Sequence, residues 1–249
     1  MTGPRLVGVG VGPGDPELLT LAGLRELRDA SRVFVPVLAA DEQGRAEAVV
    51  RAHLTENHPI ERLVFALNDP VGGPQRRRRE HWDCAAERVA AHLREHGGTA
   101  AFATIGDPAV YSTFGYLAAT VRRMLPEVEV ATVPGITAMQ AAASAAGLTL
   151  VEGTERLTLV PVTRELTGLT GALRGGGTVV AYKGGRRLDE LRAVIEQAGA
   201  LDRSVYAEHL GTSDARVLPL SEVDAAAEGA PYLSTVVVLP PRGGRGEQL

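Results

Sequence analysis

Two copies of the tripeptide Gly-Asp-Pro, at residues 14–16 and 106–108, are the first candidates for chemistry in this sequence. Each copy follows a short apolar run and precedes a helical pattern, which places Asp15 and Asp107 where a strand ends and a helix begins. Glycine leaves the backbone open to a ligand, and a carboxylate accepts hydrogen bonds from hydroxyl and ammonium groups. Asp15 is also a good helix cap, so a structural role stays open.

The stretch VGVGVGPGDPELLTL (7–21) does not match the known phosphate-binding loops. Neither of its glycine pairs extends to the dinucleotide motif G-x-G-x-x-G, because the third glycine position holds Pro13 or Asp15. No Gly-Lys-Ser/Thr follows either. A phosphate loop needs free backbone N–H groups, and proline has none. The stretch therefore favours an uncharged or positively charged ligand with sugar-like donors, a description that S-adenosylmethionine fits.

Two further turns have the same character. TVPGITAMQ (132–140) and AYKGGRR (181–187) each place glycine directly after a predicted strand. In a parallel sheet, turns at the carboxyl ends of strands share one edge, where α/β proteins bind ligands. The sequence therefore predicts a site built from several such turns.

The elements that must hold these turns alternate along the first half of the chain. The apolar and amphipathic periodicities predict strands over 5–12, 32–38, 62–67, 99–105 and 128–133, and helices over 16–30, 44–54, 80–96 and 108–125. This strand–helix order predicts an α/β fold with a mostly parallel sheet.

The second half has a different pattern. After the alanine-rich helix 137–147, strands are predicted over 157–162, 177–182, 203–210 and 232–240, with one clear helix over 188–199. A mixed sheet is the expectation there. We expect an N-terminal α/β domain over 1–135, a C-terminal α/β domain over 136–242, a cleft between them, and a frayed tail over 243–249.

Bulk properties narrow the class of protein. The chain has 249 residues and a net charge of −4, and a negative chain is poorly suited to general nucleic-acid binding. Its single cysteine, Cys84, allows no internal disulfide, which favours a reducing cytoplasm, and its helical surroundings predict a core position. No apolar run approaches the ~20 residues of a membrane span, so we expect no membrane association.

Three stretches resemble the tetrapyrrole (corrin/porphyrin) methyltransferases of cobalamin biosynthesis. They are VGVGPGDPELLTLAGLRELRDASRVFVP, GDPAVYSTFGYL and VPGITAMQAAASAAGLTLVEGTE. The second is similar to the members of that family that methylate carbon 20 of precorrin-2, and the resemblance runs from residue 5 to about 240. It implies tetrapyrrole-methylase-type domains, a non-Rossmann S-adenosylmethionine site in the cleft, and a homodimer.

The resemblance also implies particular cofactor contacts. Lys183 departs from relatives that have methionine at that position. The implied contact residues are Pro13, Ile105, Gly106, Asp107, Val110, Thr137, Ala138, Lys183 and Leu210.

Substrate contacts are expected beside the donor. Tyr111, Ser112 and Thr113 open a predicted helix next to it, and Asp15 can accept hydrogen bonds from pyrrole N–H groups. Tyr111 is the best catalytic candidate, although no residue is a compelling base and a packing role stays open. The reaction requires no metal, because the methyl group of a sulfonium is already activated.

Alternatives stay open. Cobalt-factor II of the anaerobic route is a second substrate, and a catalytically silent binding module is a second function. HLREH (92–96) matches the H-x-x-E-H motif of zinc peptidases, although histidines at a helix end are more often structural. The run Arg76–Arg79 is either a solvated face or a contact for substrate carboxylates.

Overall fold

The protein forms two compact units, Met1–Thr137 and Ala138–Leu249. A computed structural model describes residues 3–65, 75–162, 165–224, 231 and 233–244, with the side chains of 75–78 and 186 left out. The predicted tail 243–249 lies mostly outside this part of the chain.

A five-stranded parallel sheet is the centre of the first unit. Its strands pair in the order β3-β2-β4-β1-β5, and every pairing is parallel, which confirms the predicted α/β fold. The strands are β1 (Arg5–Gly10), β2 (Arg32–Val37), β3 (Ile60–Val64), β4 (Thr99–Thr104) and β5 (Glu129–Val133), and the helices are α1 (Leu21–Asp29), α2 (Arg45–Arg51), α3 (Gln75–His96) and α4 (Phe114–Met124).

Alternation along β1 separates the two faces of this sheet. Leu6 joins a buried cluster with residues of α3 and α4, whereas Val7 and Val9 join a second cluster with residues of α1 and α2. Successive side chains of a strand point to opposite faces, so the sheet is covered by helices on both sides. The carboxyl ends of the neighbouring strands β4, β1 and β5 therefore lie side by side.

A mixed five-stranded sheet is the centre of the second unit, as predicted. Its order is β6-β7-β10-β8-β9, in which β6 and β7 are parallel and the other pairs are antiparallel. The strands are β6 (Leu157–Pro161), β7 (Thr178–Tyr182), β8 (Ser204–Glu208), β9 (Arg216–Pro219) and β10 (Thr235–Val238), and the helices are α5 (Ala138–Ala145), α6 (Thr167–Arg174) and α7 (Leu188–Gln197).

Helix α6 and strand β9 have no counterpart in the sequence prediction. Helix α6 contains Gly168 and Gly171, which lower helix propensity, and its buried Leu169 packs in the core cluster of the second unit. Strand β9 has four residues and pairs with β8 alone in the described sheet. Tertiary packing therefore supplies what local propensity does not.

The predicted helix over 16–30 is two elements. Asp15 caps a 3₁₀ turn at Pro16–Leu18 by accepting a hydrogen bond from the Glu17 N–H at 2.9 Å. Thr20 then caps α1, its hydroxyl accepting from the Gly23 N–H at 3.0 Å.

The prediction of a core position for Cys84 is wrong, because its side chain is exposed on α3 while Ala85, Ala86 and Val89 face the sheet.

Candidate functional site

The loops after β1 and β4 are joined to each other in the first unit. The Gly106 N–H donates to the Gly12 carbonyl at 2.7 Å, and the Val11 N–H donates to the Thr104 carbonyl at 2.9 Å. Gly12 and Gly106 have φ values of 80° and 71°, in the left-handed region that favours glycine. These two glycines are required by the geometry of the junction.

Three of the other glycines are required by close packing. A side chain at Gly8 would lie 2.5 Å from the Phe114 ring, and one at Gly10 would lie 2.6 Å from both the Gly106 oxygen and the Gly135 nitrogen. A side chain at Gly135 would overlap the Gly106 carbonyl oxygen. The space beside Gly8 and Gly10 is therefore filled by a helix and by two loops of the protein itself.

Gly106 differs from this group. Apart from its two chain neighbours, no atom in the described part of the chain lies within 4 Å of the position that its side chain would occupy. Half-buried Ile105 and Val110 lie close to it along the loop. This loop therefore has room beside its backbone and apolar side chains nearby, as a flat organic ligand requires.

Asp107 links the loops after β4 and β5. One carboxylate oxygen accepts from the Ala109 N–H at 2.7 Å, and the other accepts from the Gly135 N–H at 2.9 Å. The Val110 N–H donates to the Asp107 carbonyl at 3.2 Å. The Asp107 side chain thus shapes the predicted cofactor loop.

The loop after β1 places Pro13 and Asp15 differently. Pro13 is buried, whereas Asp15 is half-buried and uses one oxygen to cap the 3₁₀ turn. The capping role of Asp15 is therefore observed, and its predicted contact with substrate stays a prediction.

The predicted substrate residues Tyr111, Ser112 and Thr113 lie before α4 rather than in its first turn, because this helix begins at Phe114. Ser112 is engaged within the protein, with its hydroxyl 2.9 Å from that of Thr104 and accepting from the Phe114 N–H at 3.1 Å. Thr113 is the N-cap residue, and its carbonyl accepts from the Leu117 N–H at 3.2 Å. Both residues thus form the start of the helix.

Tyr111 is the most unusual of these residues. Its φ is 51°, a left-handed conformation that is rare for a bulky side chain, and it is 41% exposed. Burial raises the pKa of its phenol, so at neutral pH the hydroxyl is protonated and can donate a hydrogen bond. It is suited to orienting a ligand rather than to accepting a proton as a phenolate.

The second unit has two left-handed residues at one edge of its sheet. Lys183 (φ 65°) follows β7, and His209 (φ 51°) follows β8. The Lys183 N–H donates to the Ser234 carbonyl at 3.2 Å, directly before β10, the strand that lies between β7 and β8. His209 was not predicted from the sequence, where its only local signal is the Leu-Gly that follows it.

The remaining predicted contacts lie at the ends of elements. Thr137 is buried at the end of the first unit, and Ala138 begins α5 in the second. Leu210 is buried in a cluster with Tyr182 and Ala207. Within each unit the structure thus places the predicted residues after strand ends, and their contacts with a cofactor stay predictions.

The HLREH motif lies at the end of α3 and is used within the protein. His92 is 7% exposed, its Nε2 lies 2.9 Å from the Ser31 hydroxyl, and its ring stacks on that of His96 at 4.7 Å between centroids. Within the described residues, no group of three or more His, Cys, Asp or Glu side chains is arranged to hold a metal ion. The zinc alternative gains no support from this motif.

The buried His92 predicts a dependence of stability on pH. Burial, followed by the positive charges of Arg32 and His96, lowers its pKa below the ordinary 6.5, against an opposing effect of Glu61 and Glu95. Below pH 6.5 the unfolded chain binds a proton more readily than the folded chain does. The free energy of unfolding therefore decreases as the pH is lowered below 6.5.

Urea denaturation at several pH values measures this effect. His92→Gln should flatten the dependence below pH 6.5, and His81→Gln, near the other end of α3, is the control. An equally steep dependence in His92→Gln would contradict the assignment to His92.

The arginine run lies at the start of α3. The side chains of Arg76–Arg78 are outside the described part, and Arg79 is exposed. Arg79 lines an open groove of about 460 Å³ with Arg123, beside the stacked rings of Trp82 and Tyr116. A contact between the run and substrate stays a prediction.

No helix in the described part of the chain is long and apolar enough to cross a bilayer.

Relatives of this chain have names that agree with the resemblance. A precorrin-2 C(20)-methyltransferase of Sinorhizobium sp is 35% identical over 238 residues, covering 94% of each chain. A probable cobalt-precorrin-2 C(20)-methyltransferase of Methanocaldococcus jannaschii is 36% identical over 162 residues, covering 65% of this chain and 66% of the relative.

A solved structure shares the fold. It is a uroporphyrin-III C-methyl transferase from Thermus thermophilus complexed with S-adenyl homocysteine, with a TM-score of 0.64, 22% identity, and coverage of 94% of this chain and 91% of that one. The model of the tetrapyrrole (corrin/porphyrin) methylases matches residues 5–224. This match and the extent of the first relative show that the chain belongs to the tetrapyrrole (corrin/porphyrin) methylase family.

Proposed function

We propose that this protein transfers a methyl group from S-adenosylmethionine to carbon 20 of precorrin-2 in cobalamin biosynthesis. The observation that carries the proposal is the 35% identity to a precorrin-2 C(20)-methyltransferase over 94% of both chains. The chemistry of the loops agrees with it, because a donor with a cationic centre and ribose hydroxyls does not need a phosphate cradle.

The described residues fit such a donor. The open space beside Gly106 and the apolar side chains of Ile105 and Val110 suit a flat ring, while Asp107 fixes the path of the loop. S-adenosylmethionine, when bound, supplies a methyl group already activated by its sulfonium. The protein contributes by aligning the donor with carbon 20 and by excluding water.

The proposed methyl transfer accounts for every bond, electron pair and proton without a metal. Carbon 20 of precorrin-2 forms a bond to the methyl carbon as the carbon–sulfur bond breaks, and the bonding electrons leave with sulfur. A proton is then lost from the macrocycle. The products are precorrin-3A and S-adenosylhomocysteine.

Incubation of the protein with S-adenosylmethionine and enzymatically made precorrin-2 tests the proposal. We expect the tetrapyrrole to gain the mass of one methyl group and S-adenosylhomocysteine to form in equal amount. Binding of S-adenosylmethionine without methylation of any tetrapyrrole would favour a silent binding module instead.

A cobalt-containing substrate is the second candidate. The similarity to the probable cobalt-precorrin-2 C(20)-methyltransferase of Methanocaldococcus jannaschii favours it, although that match covers only 65% of the chain. Parallel assays with metal-free precorrin-2 and cobalt-factor II decide between the two. We expect the higher kcat/KM with the metal-free substrate.

The proposal includes a homodimer, as the family resemblance implies, and a cytoplasmic location, for which the single cysteine is the argument. Light scattering coupled to gel filtration measures the first. The proposal also includes a reaction without a metal. We therefore expect full activity after treatment of the protein with a chelator, and metal analysis of the treated protein checks that metal has been removed.

Tyr111 is expected to orient the tetrapyrrole. Tyr111→Phe removes a hydroxyl that can donate a hydrogen bond, so kcat/KM for precorrin-2 should fall about tenfold. The dissociation constant of S-adenosylhomocysteine should stay unchanged in calorimetry. Tyr116→Phe, at an exposed tyrosine of α4, is the matched control. Equal kcat/KM values in both variants would assign Tyr111 to packing.

A further inference from the structure

A buried carboxylate ends strand β8 of the second unit. Glu208 is 5% exposed and Tyr206, two residues earlier on the same face of the strand, is 1% exposed. The Tyr206 hydroxyl donates to one oxygen of Glu208 at 2.6 Å, and the Arg216 guanidinium donates to the other at 2.8 Å. Both oxygens of Glu208 are therefore held, by its own strand and by β9.

Such a network is a poor way to stabilise a fold. The buried carboxylate loses its hydration, a cost that its partners must offset, and the Arg216 side chain is itself largely exposed. Tyr206 otherwise lies in an apolar cluster with residues such as Val236 and Leu220, where phenylalanine would suit the packing. A function other than bulk stability is therefore worth seeking at this strand end.

The next residues form a strained and fixed turn. His209 has a left-handed φ of 51°, which is unfavourable for a residue with a side chain. Its carbonyl accepts from the Thr212 N–H at 3.1 Å and from the Thr212 hydroxyl at 2.8 Å, and Leu210 is buried. Left-handed backbone persists where its surroundings hold it on both sides, and Glu208 holds the side that precedes His209.

We propose that Tyr206 and Glu208 are positioning residues that fix the His209–Leu210 turn in the geometry that binds the methyl donor. This inference rests on the proposed function, in which Leu210 contacts S-adenosylmethionine. Tyr206 and Glu208 point into the core and act through the backbone of the turn. Loss of the hydrogen bond between them should let the strand end shift while the sheet stays paired.

Affinity and turnover of two variants test this role. Tyr206→Phe and Glu208→Ala should each raise the dissociation constant of S-adenosylhomocysteine, and the KM for S-adenosylmethionine, about tenfold, which corresponds to about 1.4 kcal/mol. The kcat at saturating donor should stay close to that of the unchanged protein. Glu208→Gln keeps an acceptor for Tyr206 and should retain most of the affinity.

Arg242→Ala is the matched control for a purely structural loss. Arg242 binds Glu155 in the same unit at 2.6 and 2.9 Å. It follows the end of β10 that pairs with the start of β8, whereas the turn follows the other end of β8, so its loss should lower the melting temperature without changing donor affinity. Unchanged affinity in folded Tyr206→Phe would overturn the inference, even if Glu208→Ala fails to fold. If the unchanged protein binds no S-adenosylhomocysteine, the proposed function fails, whereas loss confined to the variants supports both.

Discussion

Asp107→Ala is expected to lower the affinity for S-adenosylhomocysteine at least about tenfold and to reduce the free energy of unfolding by about 2–3 kcal/mol. The substitution removes the acceptors of two backbone N–H groups, on Ala109 and Gly135, and so releases the loop after β4 from the loop after β5. Titration calorimetry and urea denaturation of the same samples measure the two effects.

Two variants bracket this result. In Asp107→Asn the amide oxygen can accept from only one of the two N–H groups, so both effects should be intermediate. Asp15→Ala removes a single capping bond from Glu17, and about 1 kcal/mol of stability should be lost with donor affinity retained. A dissociation constant in Asp107→Ala equal to that of the unchanged protein would contradict the assignment of this loop to the donor.

Gly135→Ala is expected to destabilise the first unit by about 3 kcal/mol, at the upper end of overpacking effects. The added methyl group would overlap the Gly106 carbonyl oxygen and crowd the Gly10 backbone. Main chain cannot rotate away as a flexible side chain can, so the loops must separate. Methyl transfer should fall with stability, because the loops after β1, β4 and β5 lose their mutual contact.

Gly115→Ala is the matched control on α4. Beyond its chain neighbours and the backbone of α4, no described atom lies within 4 Å of its added methyl group. Alanine also favours the helix, so stability should rise by roughly 0.5–1 kcal/mol. Neither glycine has a left-handed φ, so the two variants differ in space rather than in backbone strain. Equal melting temperatures for both would show that the loops can rearrange around the methyl group.

The arrangement of the sheets was predictable because its causes are local. The short apolar runs of β1 and β4, the leucines at helical spacing in α1, and the turns at strand ends are all patterns within a few residues of sequence. These signals predicted the parallel first sheet and the mixed second one. They also placed Asp15 and Asp107 in the loops that follow two of the strands.

The details of the loops were not predictable because their causes are distant in sequence. Asp107 is held by Gly135, and the space beside Gly10 is filled by two other loops. The predicted start of α4 at residue 108 was wrong because left-handed Tyr111 and the bonds of Ser112 delay the helix to Phe114. No local pattern contains such partners.

The Tyr206–Glu208 pair shows the same limit in the second unit. Alternation along β8 places both side chains on one face, but the sequence does not reveal that the face is buried or that Arg216 binds the carboxylate. The pairing of β8 with β9 brings Arg216 there, and β9 itself was not predicted.

The position of β1 has a consequence for synthesis on the ribosome. Arg5 pairs with Thr99 of β4 and with Glu129 of β5. The first strand of this sheet to be synthesised therefore cannot pair with both of its neighbours until the last strand, β5, has been made. At about 5–20 residues per second, this wait is on the order of ten seconds. Gly8 and Gly10 have low β-propensity, which weakens premature pairing of the exposed strand. In the folded protein Gly8 leaves space for the Phe114 ring and Gly10 for two loops. In the nascent chain the low β-propensity of the same glycines disfavours incorrect strand pairing.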